Sequence, residues 1–218
     1  MKLTIDFNPD SIAREQVLLV ATDFAGYQHV LRQLDDAGRK YRSTFDDGLL
    51  EIIVPGTIHE AVKKTIAQIL ETYRLAIDVQ IEGMGSTTLD CELKQKGLEP
   101  DECYFINRSP LPGRDRFDDI HKIDSPDLAL EVDVSSRSLP REPVYAALGV
   151  REIWRWKNGA ITVRELFEGS YRTVPRSIVL PDLDLAAFTK HVDMALTPGN
   201  KTAATRAWFE WLKSNPIG

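Results

Sequence analysis

The stretch PDLALEVDV at residues 126–134 decides how this chain folds. Leu128, Leu130, Val132 and Val134 alternate with Asp127, Ala129, Glu131 and Asp133. A period of two turns one set of side chains toward a core and puts the three acids on the opposite face of a strand. Carboxylates two positions apart on one strand face stand roughly 6–7 Å from each other, and partial burial makes ionising both costly unless a cation or basic group is near. The strand alone leaves two readings open: a solvated face of a half-exposed sheet, or a charged face with a partner.

The flanks sharpen that choice. Upstream, Glu99-Pro100-Asp101-Glu102 precedes the strand-like run Cys103 to Ile106, where Pro100 can begin a ladder but not continue it. By itself this cluster reads as an acidic turn. Beside a second acidic strand it offers the oxygen ligands that a hard cation such as Mg²⁺ prefers, which brings metal-assisted phosphodiester hydrolysis into view. Downstream the charge reverses: Arg137, Arg141, Arg151, Arg155, Lys157 and Arg164 face only Glu142 and Glu152 between Val134 and Arg164. A basic band next to an acidic site suits a phosphate backbone, and equally suits a solvated hairpin.

Working outward, Phe24, Tyr27, Val30, Leu31 and Leu34 fall at helical spacing after Thr22, which is expected to cap them, behind a polar start to the chain. Tyr41–Phe45 and Leu49–Val54 flank Asp46-Asp47-Gly48 as a hairpin. Ile58, Val62, Ile66, Ile69 and Tyr73 mark a helix from Thr57 to about Tyr73, with Thr57 and Glu60 spaced as a capping box. Strands are expected at Ile77–Glu82, bent by Gly83-Met84-Gly85, at Cys103–Ile106, at Leu128–Val134, and on both sides of Asn158-Gly159. A short helix near Arg141–Leu148 separates the last two groups, and helices follow at Leu185–Leu196 and around Trp208 and Trp211. Strands interspersed with helices predict an α/β fold, not a bundle. The proline-bearing stretch Asn107–Pro126 is expected as an exposed excursion carrying Arg108, Arg114, Arg116 and Lys122. Residues 1–196 are expected to form the domain and 197–218 a C-terminal helical appendage.

The 218 residues carry 33 acidic and 27 basic side chains, a net charge of −6 that gives no global attraction to polyanions, so any such partner is met locally. No apolar run approaches the ~20 residues of a membrane span and no signal peptide opens the chain, so a cytoplasmic protein without membrane contact is expected. Cys91 and Cys103 form no CxxC pair and read as buried thiols. His59-Glu60 does not complete HExxH because Lys63 stands at the zinc spacing, and neither a phosphate-binding glycine loop nor GxSxG is present. Trp154 and Trp156 share a strand face, where core packing is favoured over base stacking.

Five separated blocks carry a family likeness: GSTTL (85–89), GLEPDECYFI (97–106), PDLALEVDV (126–134), YAALGVREIWRW (145–156) and PDLDL (181–185). In content and order they resemble the Uma-type putative restriction endonuclease family of the PD-(D/E)xK nuclease superfamily, with a restriction endonuclease-like fold. The resemblance implies a core of helix, three strands, helix and strand, a mixed sheet flanked by helices, preceded by the N-terminal helix and hairpin and followed by the C-terminal helices. It implies a DNA endonuclease that uses Mg²⁺ or Mn²⁺, with Asp101 and Glu131 as metal ligands and Glu60 as an added acid. A homodimer is compatible with it. The superfamily lysine position holds Asp133, and the family's displaced basic group falls on Arg141, which stabilises phosphate charge but is a poor general base. The competing reading is a catalytically degenerate nuclease fold acting as a DNA-binding or oligomeric interaction module.

Overall fold

A computed structural model describes residues 16–38, 41–110, 124–133 and 139–215. Arg114, Arg116 and Lys122 of the expected excursion lie outside the described residues, as does Val134 at the end of the decisive strand.

The described residues open with β1 (Gln16–Ala21) and α1 (Phe24–Asp36), then the hairpin β2 (Arg42–Asp46) and β3 (Leu49–Val54). Asp47 and Gly48 both take positive φ, 43° and 91°, as a two-residue hairpin turn requires. α2 (Thr57–Ile77) leads to β4 (Ile81–Gly85), β5 (Leu89–Cys91), β6 (Lys96–Leu98), β7 (Glu102–Ile106) and β8 (Leu128–Val132). α3 (Glu142–Leu148) precedes β9 (Glu152–Lys157), β10 (Ala160–Phe167) and β11 (Ser170–Val174), and α4 (Leu185–Leu196) and α5 (Lys201–Ser214) finish the chain.

These strands form two sheets. One has the order β1-β3-β2-β6-β5, the other β11-β10-β9-β8-β7-β4. Every pairing is antiparallel except β8 with β9, which α3 joins as a parallel crossover. The succession α2, β4, β7, β8, α3, β9 is the expected helix, three strands, helix and strand. β5 and β6 interrupt it and cross to the first sheet, where β6 pairs with β2.

The larger core lies between the second sheet and α2, α4 and α5. Leu128, Leu130, Val132, Trp154 and Trp156 meet Ile66, Ile69, Tyr73, Phe188 and Trp208 there, so both strand tryptophans are core residues. Trp208 is fully buried and its Nε1 donates to Ile69 O at 3.0 Å, which fixes α5 on α2. On the opposite face, α3 is held between the sheets: Val144 and Tyr145 touch Leu89 and Leu98 from the first and Ala129 and Ile153 from the second.

Several local expectations need correction. Asp23 caps α1, its carboxylate accepting from Gly26 N at 2.8 Å, because Thr22 lies one residue too early. Gly56 is the N-cap of α2 and Thr57 its first helical residue, so no capping box forms; Glu60 instead pairs with Lys63 at 3.3 Å. The stripe Ile66, Ile69, Tyr73 continues through Ile77, carrying α2 a turn further and delaying the next strand to Ile81. Within the expected polar start, of which residues 1–15 lie outside the described residues, Gln16–Ala21 forms β1; QVLLVA has no polar alternation to betray a strand. Cys91 and Cys103 are free thiols. Among the described residues no helix is long and apolar enough to cross a membrane.

Candidate active site

The acids of the decisive strand are not solvated. Asp127 and Glu131 are each 4% exposed, and every acid on this face is met by a basic side chain. Asp127 accepts from Arg108 Nε at 2.8 Å, Glu131 pairs with Arg141 Nη2 at 3.1 Å, and Asp133 takes Arg155 Nε and Nη2 at 3.0 and 2.6 Å. The charged-face reading with a partner is therefore the correct one, and the immediate partners are arginines. Arg108 is held on Asp127 and over the Phe105 ring, which ties it to the fold instead of leaving it open to a polyanion.

Asp101 lies just before β7, against the C-terminal end of β8. Its N–H donates to Leu130 O at 3.2 Å, and Val132 N–H donates to its carboxylate at 2.6 Å. The sequence thus brings Asp101 back to the strand that carries Glu131, through antiparallel pairing of Glu102 with Leu130. Asp101 is fully buried and carries two further partners: Arg42 from β2 forms an ion pair with Oδ1, and His59 Nε2 from α2 lies 2.9 Å from Oδ2. An ionised carboxylate only accepts, so the imidazole donates at that contact.

Glu131 is gripped from α3. Tyr145 donates its phenol to Oε1, and Arg141, the residue that opens this helix, reaches the same oxygen while also donating to the Glu99 carbonyl. Burial first, then the charge of Glu131, holds the Tyr145 phenol well above its ordinary pKa, so it remains a donor. The Nε and Nη1 of Arg141 are buried and make no hydrogen bond. Glu99, one residue before Pro100, is 5% exposed; burial pushes its carboxyl up to about 7, with a Thr88 hydrogen bond at 3.1 Å pulling the other way.

Of the five residues singled out from the sequence, Glu131 and Arg141 are in direct contact and Asp101 joins them through Val132 N. Glu60 stands outside this group, reaching it only by way of His59 Nδ1 at 3.5 Å. Asp133 turns to Arg155. Arg42, His59 and Tyr145 were missed. His59 had been weighed only as a fragment of a zinc motif, and nothing in RSTFD marks Arg42 as reaching a second sheet.

A cleft of about 1020 Å³ opens beside Glu131 and Arg141, walled by Asp133, Arg155, Lys157 and Arg164. Acid strand and basic hairpin therefore share one cavity. Among the described residues no three His, Cys, Asp or Glu side chains converge as a ready-made metal cluster. Mg²⁺, however, commonly keeps several waters and binds through one or two carboxylates plus substrate phosphates. Two hard-oxygen carboxylates on adjoining strand ends, Asp101 and Glu131, fit that mode.

No curated protein matches the chain. A solved structure described as a putative nuclease belonging to DUF820 from Anabaena variabilis is 14% identical, with a TM-score of 0.44 over 77% of this chain and 90% of that chain. The model of the Uma2 family, described as putative restriction endonuclease, matches residues 28–192, and the chain, with the α/β core that carries Asp101 and Glu131, belongs to that family.

Proposed function

We propose that this chain is a metal-dependent DNA endonuclease whose phosphodiester substrate enters the cleft beside Glu131. One observation carries the reading: Arg141 is 7% exposed, is fixed on Glu131, lines the basic-walled cleft, and keeps two guanidinium nitrogens without a hydrogen bond. Buried donors normally find acceptors, and a phosphate oxygen is an acceptor that suits a guanidinium N–H.

Asp101 and Glu131 would hold the Mg²⁺ or Mn²⁺, which when bound supplies Lewis-acid polarisation of the phosphate. Arg141 contacts the scissile phosphate and offsets charge developing on it. Tyr145 fixes the Glu131 carboxylate by hydrogen bond and so aims it. Lys157, exposed at the rim of the cleft, meets the flanking backbone. Neither Arg141 nor Tyr145 is suited to take a proton at neutral pH, so proton transfer falls to solvent and the carboxylates.

A binding module without cleavage is the second reading, favoured by Asp133, which stands at the superfamily lysine position and is bound by Arg155. Plasmid DNA with Mg²⁺ and purified protein separates the two. Cleavage that disappears in Glu131→Gln supports the nuclease; shift of DNA in a gel by wild type and variant alike, with no cutting by either, selects the binding module.

A further inference from the structure

Asp101 is the better buried of the two acids assigned to the cation, and both of its carboxylate oxygens already have donors. Arg42 is 3% exposed and comes from a different sheet, reaching across from β2 to Oδ1. Oδ2 receives Val132 N–H and His59. Each carboxylate oxygen therefore has a donor from a separate element: β2 for one, α2 and β8 for the other. A cation ligating Asp101 is directed to Oδ1, next to the Arg42 guanidinium, because Oδ2 already accepts from Val132 N–H, which is fixed in the backbone, and from His59, pinned at 1% exposure on α2. Positive charge on a guanidinium and on a divalent ion cannot share one buried carboxylate without strong repulsion.

We infer that Arg42 is the resident counter-ion of Asp101 and competes with the divalent cation, so that metal binds at Asp101 only where the guanidinium has left it. This rests on the metal reading of the Asp101/Glu131 pair proposed above. It makes Arg42 a positioning residue: it sets the metal affinity of the site and ties occupancy of that site to the contact between the two sheets. Arginine suits such a part because its charge is permanent, so no change of pH near neutrality releases the acid.

The test is calorimetric titration of MnCl₂ into the full chain, with thermal melts alongside, for wild type, Arg42→Gln, Arg42→Lys, Glu131→Gln and the double variant Arg42→Gln/Asp101→Asn. Arg42→Gln should melt below wild type without metal, bind Mn²⁺ at least 10-fold more tightly, and gain more melting temperature from Mn²⁺ than wild type does, by linkage. The double variant should lose that gain. Arg42→Lys, which keeps a charge but not the fork, should fall between wild type and Arg42→Gln and serves if Arg42→Gln does not fold. Equal affinity in wild type and in both Arg42 variants, with binding still lost in Glu131→Gln, overturns the inference while leaving the metal reading in place. A gain that survives loss of Asp101 overturns it too. Absence of Mn²⁺ binding in every variant overturns the metal reading and the inference together.

Discussion

The two faces of β8 solve opposite problems with alternate residues of one short strand. Leu128, Leu130 and Val132 enter a core of aromatic side chains that is satisfied by contact alone. Glu131, between them, enters a seam equally dry but charged, in which Arg42, His59, Asp101, Arg141 and Tyr145 answer one another. The apolar face tolerates exchange of one hydrocarbon for another of similar volume. The charged face does not, because removing either half of a buried pair strands the other. Sequence variation should therefore damage the two faces differently: stability alone on one, chemistry as well on the other.

The hardest test of that division pairs neighbours. Glu131→Gln should reduce DNA cleavage to background while the protein still folds, a loss exceeding the factor of about 10²–10³ typical of one transition-state donor. Leu130→Ala should lower stability by about 2–5 kcal/mol in denaturant melts, yet cleave normally per folded molecule. If the two variants behaved alike, the faces would not be separable. Arg141 probes the seam from the helix side. With Mn²⁺ saturating, Arg141→Ala should still cost about 10²–10³ in cleavage rate, and Arg141→Lys should keep part of the rate. A cleavage rate equal to wild type in Arg141→Ala would remove it from the mechanism.

What could be read without coordinates follows the same division. Alternation at Leu128–Val132, the Asn158-Gly159 turn and the α4 boundaries were legible because each rests on local periodicity or turn chemistry. Asp101 and Glu131 came from the motif blocks, and the basic band from the run of charge. Beyond the β2–β3 hairpin the first sheet was not legible: β1 has no polar alternation, and β5 and β6 are three residues each, too short for any periodic signal. That omission explains the missing partners. Arg42 on β2 reaches Asp101 across 59 positions and His59 on α2 across 42, contacts set by how these elements pack and not by spacing along the chain.

Within the seam, Glu99 gives a smaller effect that reports on burial. Its carboxyl is pushed up to about 7 by burial, above the ordinary value near 4.5. Between those values the native state binds more protons than the unfolded chain, so stability falls as pH rises. The contribution is complete below the unfolded pKa and is lost as pH passes the folded one. Glu102 and Glu152 are shifted the same way by burial, which makes a single-residue control necessary. Glu99→Gln should flatten the decline between pH 4.5 and 7 by on the order of 3 kcal/mol in pH-stepped urea melts. An unaltered slope would mean that Glu99 is ionised and compensated in the folded state.

The weakest expected effect lies where the seam opens to solvent. Lys157 is exposed at the end of β9, lines the cleft and is bound to no acid in the hairpin, whereas Arg155 and Arg164 on the same wall are already committed to Asp133 and Glu142. An uncommitted ammonium can release counter-ions from DNA at no cost to the protein; a paired arginine must first give up its carboxylate. Lys157→Ala should therefore lower the slope of log affinity against log salt by about 0.9, the share of one phosphate contact, and leave the melting curve unchanged. Arg164→Ala should alter the salt slope less and stability more, because Glu142 then loses both its 2.8 and 3.0 Å contacts. Reversal of these two outcomes would place the phosphate path along Arg164, deeper in the cleft, and would make the Glu142 pair a contact that the nucleic acid displaces.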